Sequence, residues 1–355
     1  MWLARLELRD LRNLEAVDIE LGDGLNVLYG RNAQGKTSVL EGVGLLARAR
    51  SFRSEDTRAA VRRGTAGLLA RGEVRDGERP TTLAVSLGTD HRRLSVDGAE
   101  VPPGRYHGRF EVAVYSTERL RVVRGTQRDR RSFVDRSAGA LWPAYRRVSR
   151  QFERVLRQRN AALEHGARDL EAWTERLIEA GAALRQRRSD YVRRLDRQLA
   201  SGFRIAAESY SVAVEPELGP EAEVAHRGLL GEELGARASA ERHARRTLVG
   251  PHRDSVAFRI GSEEPSTASS GQARSLLLAL TLASLDVYRE VTGRSAVALL
   301  DDLDSELDES RVAALCSSVA RRGQALVTTA HQGWVTSLGH PLRAFHVRAG
   351  RVEAA

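Results

Sequence analysis

Lys36 is the single lysine among the 56 lysines and arginines of this 355-residue chain. It stands in Gly30-Arg31-Asn32-Ala33-Gln34-Gly35-Lys36-Thr37-Ser38, and every other basic position has taken arginine. A compact ammonium reaches between two phosphates where a wide, planar guanidinium does not fit. A composition bias broken at one place therefore marks a steric demand there. The spacing matches G-x-x-x-x-G-K-[ST] in full, the P-loop pattern. Its glycines let backbone N–H groups wrap phosphates, and a helix N-terminus adds partial positive charge. The segment Gly30 to Ser38 is expected to hold Mg·ATP, with Lys36 on the β- and γ-phosphates and the Thr37 hydroxyl on Mg²⁺.

Two further groups complete such a site. The apolar run Ala296-Val297-Ala298-Leu299-Leu300 delivers Asp301-Asp302 to the carboxyl edge of a sheet, where ligands of open α/β sheets bind. Asp301 is expected to hold Mg²⁺, mostly through water, and Asp302 to orient or activate the attacking water. Ser269-Ser270-Gly271-Gln272-Ala273-Arg274 precedes a strongly apolar helix. It reads either as a plain Ser N-cap or as a signature motif. In the second reading Ser270, Gly271, Gln272 and the helix N-terminus bind the γ-phosphate of a nucleotide held by another subunit. Ser305-Glu306-Leu307-Asp308 resembles the D-loop of that ATPase class.

The elements that must position these residues follow from periodicity. Leu3 to Leu8, Ala16 to Leu21 and Leu25 to Tyr29 read as strands, and Leu25 to Tyr29 supplies the strand before the P-loop. A helix follows through Val39, Leu40, Val43 and Leu46, then short strands from about residue 67 to 114. From about Leu141 to Tyr210 the period becomes helical, with three faces, a break at His165-Gly166 and modest helix lengths. Residues 211–245 carry no clear period. Helix over Ser275 to Glu290, strand over Ala296 to Leu300, helix over Asp308 to Arg321 and strands at Ala325 to Thr328 and Phe345 to Val347 close the chain. The P-loop and the signature must serve one head although they lie far apart. The expected fold is thus an α/β ATPase head made of residues 1–120 and 246–355, with a helical lobe, 121–245, inserted between them.

Bulk properties agree. Hydrophobic residues are 41%, enough for a core. A single cysteine, Cys316, allows no intrachain disulfide and fits a reducing, cytoplasmic setting. The start is interrupted by charge and does not read as a signal peptide, and no apolar run is long enough to span a membrane. Net charge is +9 with a pI near 10.4, which favours a polyanionic partner. Aromatics are only 5%, so arginine–phosphate contacts with duplex DNA fit better than base stacking on single strands. Arg128, Arg130, Arg131 and Arg136 are the expected contacts, an ordinary solvated face being the alternative.

Over nearly its whole length the chain resembles the RecF family of bacterial recombination-mediator ATPases, related to the heads of SMC-type and ABC-type ATPases. The resemblance rests on Leu11-Arg12-Asn13-Leu14, the P-loop, Arg50-Ser51-Phe52-Arg53, Arg130 to Arg136, Gly250-Pro251-His252-Arg253-Asp254, Ser269 to Arg274 and Asp301 to Asp308. It implies an ATP-dependent homodimer with weak, DNA-stimulated ATP hydrolysis. It implies binding to duplex DNA near single-strand gaps and junctions, and help in loading RecA with RecO and RecR in repair, replication and the SOS response. Two rivals are a non-catalytic, ATP-gated DNA scaffold and a transporter nucleotide-binding subunit. The general-base position separates the first, where the shorter Asp302 in place of Glu hints at slow turnover; the large spacing from P-loop to signature and the basic charge argue against the second. Arg124-Gly125 lies where related ATPases carry a Q-loop glutamine. His331 falls where some keep a switch histidine, and a histidine without a role is equally compatible.

Overall fold

A computed structural model of the chain describes residues 1–77, 79–88, 91–166, 170–202, 208–216, 223–265, 267–303, 309–333, 335 and 342–355. The strands are β1 (Trp2–Leu11), β2 (Leu14–Glu20), β3 (Leu25–Tyr29), β4 (Gly67–Arg75), β5 (Pro80–Gly88), β6 (Arg92–Val96), β7 (Ala99–Glu100), β8 (Val112–Tyr115), β9 (Tyr210–Glu215), β10 (Ser255–Ile260), β11 (Val297–Leu300), β12 (Ala325–Thr329), β13 (Leu342–Arg348) and β14 (Arg351–Ala354). The helices are α1 (Lys36–Arg48), α2 (Pro103–Tyr106), α3 (Arg121–Arg124), α4 (Gln127–Leu141), α5 (Pro143–His165), α6 (Leu170–Ser201), α7 (Glu223–Ala244), α8 (Ser270–Thr292) and α9 (Glu309–Ala320). They fall into two compact units, one holding Met1–Leu120 and Ser269–Ala355, the other Arg121–Ser201 and Glu208–Ala268.

The first unit has two six-stranded sheets. One runs β14-β13-β3-β12-β11-β8, parallel except for the edge strand β14. Every residue of β3, β11 and β12 is buried, as required of parallel strands covered on both faces. The other sheet, β2-β1-β4-β5-β6-β7, is antiparallel and alternates buried and open positions. Helix α1 packs against strands of both sheets and is buried along nearly its whole length. Two buried amides tie the beginning of the chain to its end. Gln324 accepts from the Leu3 N–H at 2.8 Å and donates to the Leu3 and Gly22 carbonyls at 2.8 and 2.6 Å. Asn26 donates to the carbonyls of Gly22 and Ala325. Strands far apart in sequence, β3 with β12 and β13, thus share one sheet, as the spacing of the motifs requires, and Gln324 joins that sheet to β1 of the other.

The second unit corrects several sequence expectations. Helix formation starts at Arg121, not Leu141, and α4 follows from Gln127 behind a Thr126–Asp129 capping box. Helix α6 is 32 residues long and unbroken, so two of the three expected faces, Leu170 to Leu184 and Tyr191 to Leu199, belong to one helix. The polar run Arg185-Gln186-Arg187-Arg188 lies between those two faces. Arg185 and Arg188 lie buried among carboxylates, and the helix continues through them. The break at His165-Gly166 is real, with Gly166 a left-handed C-cap. Residues 211–245 hold the end of β9 and α7. Residues 246–268, expected with the first unit, lie in the second, because β10 pairs antiparallel along the whole of β9.

Candidate nucleotide-binding site

Parallel register builds the site. Tyr29 pairs with Thr329 on one side and with His346 on the other, and Leu300 pairs with Val327. The carboxyl ends of β3 and β12 therefore finish level, β11 ends two residues sooner, and the next residues, Gly30 and Asp301, open at the same edge of the sheet. Gly30 has φ 148° and Gly35 φ 118°, conformations open to glycine. Space excludes a side chain as well. A Cβ on Gly30 would run into the Val347 carbonyl, and one on Gly35 would lie 2.8 Å from Leu14 Cδ2. Lys36 opens α1 and is 7% exposed. Its Nζ donates to the carbonyls of Gly30 at 2.6 Å and Arg31 at 3.1 Å, and to Asn32 Oδ1 at 3.5 Å.

Thr37 Oγ1 donates to Asp301 Oδ1 at 2.9 Å, across 264 residues of sequence. Thr328 Oγ1 donates to the same oxygen at 2.7 Å and accepts from the Asp302 N–H at 2.8 Å. Burial pushes the Asp301 carboxyl above its ordinary range; the Thr328 and Thr37 hydroxyls oppose this, while Asp302 and Glu118 add to it. A buried carboxylate so placed gains from a cation. The donor set, one hydroxyl and one carboxylate, suits Mg²⁺, which takes one or two protein oxygens and completes its shell with water and substrate phosphates. Among the described residues no group of three or more His, Cys, Asp or Glu could hold a metal unaided. Asp302 is half-buried with φ 55° and lines the same cavity, about 1060 Å³, as Lys36, Thr37 and Asp301.

Several cavity residues came without a role from the sequence. Asn13 Oδ1 accepts from Ser38 Oγ at 3.0 Å, and its amide reaches the Ala33 carbonyl at 3.5 Å, so the β1–β2 turn braces the P-loop. Arg12, at φ 56°, makes a bidentate pair with the buried Glu41, 2.9 Å at each contact. Ser51 also donates to Glu41, and Arg53 pairs with Glu118 at 2.9 Å. Arg12, Arg53, Arg62 and Arg63 line the cavity as cations. The Leu11 to Leu14 and Arg50 to Arg53 segments pointed here only through resemblance. Thr328 comes from the sheet register and has no local signal.

Other expected residues are distributed differently. Arg31, Asn32 and Ala33 are exposed on the loop. The Gln34 side chain accepts from the Ala349 N–H at 2.7 Å, holding the turn after β13. Ser269 is the N-cap of α8, forming a capping box with Gln272: Gln272 N to Ser269 Oγ 3.2 Å, Ser269 N to Gln272 Oε1 2.8 Å. The Gln272 amide thus serves the cap, while Ser270 and Gly271 are exposed at the first helical turn. Arg124 is exposed and donates to the Ala268 carbonyl at 2.9 Å. His331 is exposed, its N–H bonded to Thr329 Oγ1 at 2.9 Å. Residues 304–308, including the D-loop-like Ser305 to Asp308, lie outside the described residues.

The arginines expected on DNA divide. Arg128 and Arg136 are exposed. Arg130 is buried, over the Phe258 ring at 5.8 Å, and Arg131 is half-buried, donating to the Asp254 carbonyl at 2.7 Å. The amphipathic period of α4 turns these two toward the second unit, so Arg130 is packed inside it and not on the surface, while Arg131 stays part-exposed. They adjoin a buried ionic cluster. Arg188 pairs with Asp135 at 2.9 and 3.1 Å and donates to the Pro251 carbonyl at 2.8 Å. Arg185 holds Asp254 at 2.7 and 2.9 Å and Glu233 at 2.9 Å. The Arg130 to Arg136 and Gly250 to Asp254 motifs therefore meet as a structural clasp.

The comparisons agree with this architecture. The profile described as "RecF/RecN/SMC N terminal domain" matches residues 2–353. The chain is 33% identical over 345 residues to the DNA replication and repair protein RecF of Lacticaseibacillus casei (strain BL23), covering 93% of each. It is 36% identical over 369 residues to that of Symbiobacterium thermophilum, covering 99% of this chain and 98% of the relative. A solved structure of the recombination mediator protein RecF with ATP superposes with a TM-score of 0.90 at 26% identity, over 100% of this chain and 99% of that one. With a P-loop head, two units and full-length likeness together, the chain belongs to the RecF family.

Proposed function

We propose that this protein is an ATP-driven switch in recombinational DNA repair and replication. Mg·ATP occupies the cavity, its β- and γ-phosphates on Lys36 and the P-loop amides. Thr37 and Asp301 hold Mg²⁺, which when bound offsets charge on the phosphates. Asp302 orients the attacking water. Two copies close head to head, so that Ser270, Gly271 and the N-terminus of α8 in one copy meet the γ-phosphate held by Lys36 in the other. The closed pair binds duplex DNA beside single-strand gaps and, with RecR and RecO, assists the loading of RecA. Hydrolysis, slow and stimulated by DNA, reopens it. The setting is the cytoplasm; no described helix is long and apolar enough to cross a membrane.

The observation that carries this reading is the hydrogen-bonded trio Thr37–Asp301–Thr328, which joins three distant segments at the mouth of one cavity. Likeness to RecF with ATP supports it. The test is particle size and duplex binding with ATP, ADP and no nucleotide, in wild type and Asp302→Asn. The amide keeps the shape but loses the charge, so turnover should fall about a hundredfold or more while ATP still closes the pair on DNA. An Asp302→Asn protein that hydrolyses at the wild-type rate would take Asp302 out of catalysis, and a wild type that hydrolyses no ATP would point instead to a scaffold that ATP only closes. A monomer with bound ATP would contradict the reading altogether.

A further inference from the structure

Helix α5 presents a feature that the nucleotide site does not use. Its buried side chains, among them Tyr145, Phe152, Val155 and Leu163, share one face. Arg147, Arg150, Arg154 and Arg157 are all exposed. Their successive spacings of three, four and three residues set them in one line on the opposite face. At 3.6 residues per turn the four lie within an arc of about 80° and a run of about 15 Å. Among the described residues none of the four has an ion pair; the one polar contact is Arg150 Nε donating to the Arg146 carbonyl at 3.1 Å, within the helix itself. Like charges at these spacings repel and weaken a helix. A solvated helix face ordinarily mixes signs; here the exposed Glu153 lies beside the line and pairs with none of the four.

We propose that this line is a track for the phosphate backbone of duplex nucleic acid. The proposal rests on the nucleic-acid part of the function proposed above and names its surface. A duplex carries one phosphate per about 1.7 Å of axis with both strands counted, so a run of about 15 Å spans more phosphates than four guanidinium groups can engage. Guanidinium binds phosphate with two parallel hydrogen bonds, and without reading sequence. An acidic protein is the weaker occupant, since protein interfaces are centred on apolar or aromatic anchors. Among the described residues Val224 is the one exposed large hydrophobic, and it lies on α7. Single strands are also disfavoured, because the line carries no aromatic for bases to stack on.

The full chain with Arg147→Gln, Arg150→Gln, Arg154→Gln and Arg157→Gln tests the proposal. Glutamine is a comparable helix former, so α5 should persist, as far-UV circular dichroism would verify. Binding of a fluorescein-labelled duplex is followed by anisotropy with ATP between about 50 and 200 mM salt. The expected result is a log–log salt slope shallower by about 0.9 for each phosphate that is no longer neutralised, or about 3 to 4 in all. Four lysines at these positions should keep the slope, and DNA-free ATP hydrolysis should not change. Removing the same charge from the first unit, by Arg92→Gln, Arg93→Gln, Arg105→Gln and Arg109→Gln, should leave the slope near wild type. An unaltered slope in the α5 variant overturns the proposal, and so does an equal loss in the first-unit control. If wild type itself fails to bind duplex, this proposal falls together with the nucleic-acid part of the proposed function. Loss of poly-glutamate binding with duplex binding intact would assign the face to an acidic protein and also overturn it.

Discussion

The Lys36 ammonium sits in a cradle of carbonyls, 2.6 Å from Gly30 and 3.1 Å from Arg31, under a loop whose glycines admit no Cβ. A guanidinium is planar and wider, and those carbonyls leave no plane for it. Lys36→Arg should therefore weaken ATP binding by more than about tenfold, about 1.4 kcal/mol, as calorimetric titration would measure. Wild-type affinity in that variant would show that the single lysine is an accident of composition. At this scale the sequence was most informative where chemistry is set by neighbours along the chain. The P-loop spacing and the Asp301-Asp302 pair needed no fold to be recognised. Thr328 and Glu41 carry no local signal, and Asn13 is marked only by resemblance, because each acts through a partner brought near by sheet register or by a turn. Arg130 was misplaced for a related reason. Charge suggests solvent, but a guanidinium stacked on Phe258 shows how its planar face can be buried.

Elements were legible where apolar period and caps agreed. The strand–loop–helix from β3 to α1 and the strands β11 and β12 follow from continuous apolar runs between turns. Helix α6 was divided in error because Arg185 and Arg188 break its apolar period, and only the folded unit supplies Asp254 and Asp135 to neutralise them. That clasp gives a stability prediction. Both Arg185 and Asp254 are nearly inaccessible, so Asp254→Ala leaves a buried guanidinium with the partly exposed Glu233 as its one carboxylate among the described residues. The loss should be about 3–5 kcal/mol in urea unfolding of the second unit. A loss below about 1 kcal/mol would mean that the pair is solvated and worth no more than a surface ion pair. Two histidines of this unit give a pH dependence. Burial holds His226 and His252 below their ordinary value of 6.5. His226 is shut off from solvent, and neither of its ring nitrogens has a hydrogen-bond partner among the described residues. The unfolded chain then takes up protons first as pH falls through 6.5. Stability is thus full above that pH and declines below it, by at most about 1.4 kcal/mol per pH unit for each histidine, until the folded-state values are passed. Thermal unfolding at pH 7.5 and 5.5 should show the drop, and His226→Leu should reduce it. An equal drop in that variant would place the proton uptake elsewhere.

For the whole molecule, the joining of distant segments was the expectation that mattered most, and Thr37, Asp301 and the Gln324 staple meet it within one unit. The boundary at residue 245 was set too early because residues 211–245 carry no period from which to foresee that β9 would take β10 as its partner. Beyond one copy, the proposed function requires that each nucleotide be shared between Lys36 of one chain and Ser270 of the other. Ser270 is exposed at the start of α8, where an arginine can be introduced without filling the core and would intrude on a γ-phosphate presented by a second copy. Ser270→Arg and Lys36→Met should each be monomeric with ATP, since every pair of identical variants lacks both composite sites. Their mixture retains one intact site, formed by Lys36 of the first variant and Ser270 of the second. Light scattering with ATP decides the matter. Partial recovery of a dimer in the mixture, absent from either variant alone and absent with ADP, is the predicted result. A mixture that stays monomeric while wild type dimerises, or variants that dimerise alone as well as wild type does, would contradict the shared site.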